Sequence, residues 1–150
     1  MKHISLALLI LAIAACSAGE KARTADFVPA AVSSVDFGDM RVHYNALPTL
    51  SLNEAVAREY GVSKDAGTGL VVVALRRVAG SEELAAEGEV SASAYDLQGT
   101  RQNIVFHPAK TGEYTDHIGT FAISSHESYR FEVTLKSGSR SETFKFQRNF

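Results

Sequence analysis

The end of the chain constrains the fold most. Tyr129, Phe131, Val133 and Leu135 alternate with Arg130, Glu132, Thr134 and Lys136. After Ser137-Gly138-Ser139, Phe144, Phe146 and Phe150 alternate with Thr143, Lys145, Gln147 and Asn149. Successive side chains of a strand point to opposite faces, so apolar residues at every second position share one face. The stretch therefore predicts an antiparallel hairpin with one buried and one solvated side.

The same reading extends upstream. Leu70 to Leu75 (Leu-Val-Val-Val-Ala-Leu) has no polar side at all, which predicts a central strand covered on both faces. Asp36 to Ala46, Glu89 to Leu97, Gln102 to His107 and Tyr114 to Ile123 are further candidate strands, separated by Gly, Ser and Asp clusters. One helix interrupts them. Ser51 is placed as its cap, Glu54 closes a capping box, and Gly61 ends it. Leu52, Ala55, Val56 and Tyr60 share a face of that helix, Glu54 and Arg58 form an i, i+4 pair on its wet side, and the helix caps the open end of the strands.

These elements predict an all-β domain over residues 35–150, an immunoglobulin/fibronectin-like antiparallel β-sandwich of about seven strands with one short helix. There is no Trp and only one Cys, which excludes an antibody-type disulfide pin. The eight Phe, the five Tyr and the Val, Ile and Leu residues must supply the core.

The front of the chain reads as an address. Lys2 precedes an uncharged run from Ile4 to Ala14, and small residues lead into Cys16. Residues 1–15 are read as a signal peptide; the apolar run is too short for a lasting bilayer span, which needs about 20 residues. Ile13-Ala14-Ala15-Cys16 resembles the lipobox of bacterial lipoproteins, in which the peptidase cleaves after small residues and before a cysteine that has been diacylglyceryl-modified. That resemblance implies lipidation at Cys16, and two or three acyl chains hold a protein on a membrane essentially permanently. It also implies a bacterial envelope location, lipid-anchored on the periplasmic side. Ser17, in place of Asp, implies the outer membrane by resemblance to enterobacterial sorting. Residues 16–34 are read as the lipidated N-terminus and a flexible linker, small and polar, with an r.m.s. reach of roughly 23 Å.

The 15 Lys and Arg against 17 Asp and Glu, a formal net charge of -2, leave no broad basic field for nucleic acid. No nucleophile elbow, phosphate-cradling glycine loop, dinucleotide fingerprint, paired-cysteine zinc pattern or His-Glu-x-x-His stretch occurs, so neither catalysis nor a cofactor is expected. Asp116, Ser124, Ser125 and His126 include the residue types of a hydrolytic triad, but their spacing reads as a polar turn between strands. Arg130, Lys136, Arg140, Lys145 and Arg148 concentrate basic charge on the final hairpin, where they read as a defence against edge-to-edge pairing.

The most distinctive stretch is Phe37-Gly38-Asp39-Met40-Arg41-Val42-His43-Tyr44-Asn45-Ala46. Met40, Val42 and Tyr44 form a core side, whereas Arg41, His43 and Asn45 line the other in a row that can grip a carboxylate, a sugar or a peptide backbone. Pro48 and the helix follow at once, which turns the row toward the helix-capped mouth. With Leu52 to Gly61 and the apolar strand from Gly69, this stretch resembles a family of proteobacterial periplasmic or lipoprotein domains of unknown function. Its members open on a Phe-Gly-Asp-x-x-Val-His-Tyr-Asn-Ala-like motif. The resemblance runs from about Val35 to Phe150; Met40 and Leu47 stand where relatives commonly carry an aromatic residue and a Phe. It implies a compartment and a domain, but no activity.

The expected function is a non-enzymatic, lipid-anchored envelope module that binds another envelope protein or a small molecule through Arg41, His43 and Asn45. The alternative is copper or zinc handling by His43, His107, His117 and His126.

Overall fold

The computed structural model describes residues 33–150. The signal peptide, Cys16 and the linker up to residue 32 lie outside the described residues. Ten strands follow in chain order: β1 (Ser33–Phe37), β2 (Met40–Pro48), β3 (Thr68–Ala79), β4 (Glu82–Ala85), β5 (Glu89–Tyr95), β6 (Arg101–Ile104), β7 (Phe106–Thr111), β8 (Tyr114–Ala122), β9 (Ser128–Ser137) and β10 (Arg140–Asn149). They form two antiparallel sheets. One has six strands in the order β1-β2-β3-β8-β7, with β4 pairing the far end of β3; the other has the order β10-β9-β5-β6. A β-sandwich is what the alternation predicts.

The final hairpin is as expected, with Ser137 opposite Arg140 across a two-residue turn in which Gly138 takes φ 59°. Its apolar face supplies the middle of the core. The Phe131 ring, fully buried, stacks on Phe146 at 4.6 Å and meets the edge of Phe121 at 5.2 Å. Strand β3 lies between β2 and β8, and its uninterrupted apolar run has a direct cause. Val71, Val73 and Leu75 face the other sheet. Leu70 and Val72 face outward into a second apolar cluster with Leu52, Val56, Ala57 and Tyr60.

Several boundaries differ from the sequence reading. Asp36 to Ala46 is not one strand, because Gly38, at φ 65°, turns the chain and sets Phe37 opposite Met40. Gln102 to His107 is divided at the exposed Val105, where the chain leaves the four-stranded sheet for the six-stranded one. Strand β4 has too little alternation to announce itself. These divisions raise the strand count from about seven to ten.

The helix α1 spans Glu54–Glu59, and its cap is Asn53 rather than Ser51. Asn53 Oδ1 accepts the Val56 N–H at 2.9 Å, which satisfies one of the donors that a helix start leaves open. Ser51 instead closes a 3-10 turn at Thr49–Ser51. Thr49, fully buried, holds that turn: its hydroxyl donates to the Asp65 carbonyl at 3.0 Å and accepts the Asp65 N–H at 2.9 Å. Glu54 pairs with Lys64 at 3.0 Å, not with Arg58.

Side-chain contacts join the sheets at their margins. The Gln102 amide from β6 copies a strand neighbour for Ala122 in β8, donating to its carbonyl and accepting its N–H, both at 3.0 Å. At the opposite margin Arg140 donates to Asp39 Oδ1 and to the Phe37 carbonyl, both at 2.8 Å. Strand β10 is an edge strand, as the basic residues suggested, yet Arg140 and Arg148 also act as staples to the other sheet.

Candidate functional site

Residue parity and ladder register build a groove on the outer face of the six-stranded sheet. His43, Ala74 and Asp116 are aligned across β2, β3 and β8; one step along come Asn45, Val72 and Ile118, and then Leu47 and Leu70. His43 and Asp116 are two strand spacings apart, about 10 Å. Ala74 between them has almost no side chain, so the sheet is hollow there. Helix α1 and the turn before it raise the wall at the apolar end with Leu52, Val56 and Tyr60. The groove has a volume of about 370 Å³.

Its polar end is organised by ions. Arg76 Nη2 donates to Asp116 Oδ1 at 2.8 Å, Nη1 donates to the Leu75 carbonyl at 2.9 Å, and the guanidinium lies 4.1 Å from the centre of the Tyr114 ring. Both partners of this ion pair are nearly buried, with side chains 10% and 8% exposed. Tyr60 borders the groove from α1. Burial first, and then the charges of Asp116 and Glu59, push its phenol above the ordinary tyrosine range.

Of the three residues singled out in the sequence, His43 and Asn45 line the groove and Arg41 does not. Arg41 Nε and Nη2 donate to the two Asp36 oxygens at 2.7 and 2.8 Å, and Nη1 donates to Glu83 Oε1 at 3.1 Å. The Arg41 hydrogen bond holds the Asp36 carboxyl below its usual range, and both carboxylates raise the guanidinium pKa further above its ordinary value. His43 Nε2 lies 2.8 Å from Glu83 Oε2. A carboxylate only accepts, so this nitrogen carries the proton. The hydrogen bond from His43 outweighs burial and, with Arg41, keeps the Glu83 carboxyl below its usual range. Asn45 Oδ1 accepts from the Ala46 N–H at 2.9 Å and from Arg148 Nη2 at 3.1 Å, which leaves the amide NH₂ to the groove.

Glu83, Arg76 and Asp116 were not singled out as groove residues in the sequence. Parity on β3 places Arg76 on the same side as Val72 and Ala74, which is a signal for its direction. No local signal identifies its partner.

The other histidines are dispersed. His107 Nε2 is 2.9 Å from the Tyr60 carbonyl, which ties β7 to the end of α1, and His117 Nε2 is 3.1 Å from the Gly88 carbonyl. His126 has φ 62°, in the turn between β8 and β9. A ring nitrogen donating to an oxygen has no lone pair for a metal. Among the described residues no three His, Asp or Glu side chains gather around one point. The residue types of a triad are not brought together either. Asp116 lies in β8, whereas Ser124 to His126 follow its far end, about 27 Å along the chain. Ser124 offers its backbone N–H to the Tyr129 hydroxyl at 3.0 Å. Among the described residues no helix is long and apolar enough to cross a membrane.

Fold and site together define a two-sheet antiparallel sandwich with a helix-walled groove on one outer face. The family model of a domain of unknown function, DUF4426, matches residues 34–150, and the chain belongs to that family. A crystal structure of a DUF4426 family protein from Pseudomonas aeruginosa is similar at 25% identity and a TM-score of 0.67, over 79% of this chain and 94% of that one. A copper-bound variant of FetP from uropathogenic Escherichia coli is similar at 11% identity and a TM-score of 0.58, over 80% of this chain and 90% of that one. FetP as isolated, expressed recombinantly in the E. coli periplasm, gives 10% and 0.57, over 79% and 93%. The likeness to FetP is one of fold. Comparison with curated proteins finds no match.

Proposed function

We propose that this protein is a lipid-anchored, non-enzymatic binding module of the bacterial envelope. Cys16 carries the anchor, which holds the domain on the periplasmic side of the outer membrane, and the groove between β2, β3, β8 and α1 takes a ligand with an apolar body and a polar head. One observation carries the reading: an open groove of about 370 Å³ with an apolar wall and a nearly buried ion pair at one end. Ligand sites have this size and this mix of apolar lining with a few converging polar groups. The lipobox-like Ile13-Ala14-Ala15-Cys16 supports the anchor.

Native mass spectrometry of the full chain, after exposure to a small-molecule extract of the envelope, tests both parts. A retained adduct that disappears in Ala74→Phe, where a ring fills the hollow, supports the groove; equal adducts on both proteins reject it. An N-terminal peptide carrying acyl chains on Cys16 supports the anchor, and an unmodified thiol rejects it. The copper-bound state of FetP favours a second reading, copper or zinc handling, for which His43, His107, His117 and His126 would act singly, since among the described residues they do not gather around one point. Stoichiometric metal on the same purified protein would support that reading.

A further inference from the structure

The charged side chains that line the groove are Arg76 and Asp116, paired with each other; Asp36, Arg41 and Glu83 form a separate network beside it that reaches the lining through His43. Arg41 is committed to Asp36 and Glu83, and His43 gives its Nε2 proton to Glu83. Arg76 is committed as well, to the Leu75 carbonyl, to Asp116 Oδ1 and to the face of Tyr114. Asp116 lines the groove and is 6% exposed, and among the described residues only its Oδ1 has a side-chain donor. A carboxylate offers about four acceptor positions, and one withdrawn from water is costly until donors replace the water. Oδ2 is therefore an unfilled acceptor at the head of an apolar trough.

We infer that the groove takes a small organic amine, its ammonium anchored on Asp116 Oδ2 and its apolar body laid over Ala74 and Val72 against Leu52, Val56 and Tyr60. This rests on the groove reading above and adds the chemistry of the head group. An ammonium brings three donors and a charge opposite to that of Asp116. A carboxylate or phosphate ligand would meet Asp116 with its own sign, and Arg76 already directs Nη1 to the Leu75 carbonyl and Nη2 to Asp116 Oδ1. From His43 to Leu47 the trough extends about 13 Å along β2, enough for an aryl or short alkyl chain.

Calorimetric titration of the full chain in lipid nanodiscs, with empty nanodiscs as the blank, tests this using 2-phenylethylamine, 2-phenylethanol and phenylacetate. The amine should bind at least about tenfold more tightly than the alcohol, the scale of one charge-assisted hydrogen bond. Asp116→Asn should bring the amine down to the level of the alcohol. Alcohol or phenylacetate binding as tightly as the amine overturns the ammonium anchor while the groove stands. If no probe binds, or if Ala74→Phe binds all three as the unaltered chain does, anchor and groove both fall. Should Asp116→Asn fail to fold, the comparison of amine with alcohol on the unaltered chain decides alone.

Discussion

Arg76 and Asp116, 40 residues apart in the chain, meet at 2.8 Å on the outer face of the six-stranded sheet with side chains only 10% and 8% exposed. A buried pair of this kind gains little over an apolar pair of the same shape, because desolvation offsets the attraction, but losing one member strands a charge. Arg76→Ala should therefore lower stability by about 3 kcal/mol or more, whereas Arg76→Met combined with Asp116→Leu should lie close to the unaltered protein. Urea unfolding of the two variants checks this; equal losses in both would contradict it.

Acid should weaken the rim of the groove through Glu83. Its hydrogen bond from His43 holds its native carboxyl below the ordinary value of 4.5, so between the two values the unfolded chain binds more protons. The stabilisation is present in full above the ordinary value and is lost as pH falls through the native one. Glu83→Gln should thus cost some stability at pH 7, and the difference should close as pH falls below the ordinary carboxylate value and through the lower native one. The side chain is 31% exposed, so solvent screening keeps the effect small. Denaturant titrations from neutral to acid pH measure it, and a gap unchanged at low pH would count against the pairing.

Gly119 is needed for space. A Cβ there would run into Ile104 Cγ2 and come within 3.2 Å of the Phe106 ring, at the place where the chain passes from one sheet to the other. Gly119→Ala should cost about 1–3 kcal/mol by overpacking. That corresponds to a fall in Tm of at least roughly 4 °C by calorimetry. Gly112 has nothing within 4 Å of its Cβ position; with φ 63°, Gly112→Ala should show only backbone strain, about 1 kcal/mol.

The Gln102 strap should be visible in hydrogen exchange. Gln102→Ala removes the partner of both backbone groups of Ala122, so exchange at the Ala122 amide should accelerate while amides in the middle of β9 keep their protection. The loss of global stability should be about 1 kcal/mol. An unchanged Ala122 rate would show that the strap is not formed in solution.

Much of the fold was legible because side-chain direction in a strand is local. The alternation from Tyr129 to Asn149, the two-sided apolar run of β3 and the sidedness of Arg41, His43 and Asn45 all follow from a period of two. One further relationship was within reach. Once Gly38 is recognised as the turn, the hairpin register puts Asp36 opposite Arg41, and their ion pair takes Arg41 out of the binding row. The Asn53 cap was harder to find, since Ser51 with Glu54 also satisfies a capping pattern; the buried Thr49 hydroxyl and its two bonds to Asp65 decide between them.

By itself, the order of residues determined the long strands β3, β8, β9 and β10, which face of the final hairpin is apolar, and that Gly61 follows the end of α1. It did not determine which strands become neighbours. His43 finds Glu83, Arg76 finds Asp116 and α1 comes to lie over Val72 only when β2, β3, β4 and β8 pair in one register. A slip of one residue would send every one of those side chains to the other face. Pairing across 40 residues depends on the burial of the whole sheet, which no local window of sequence contains.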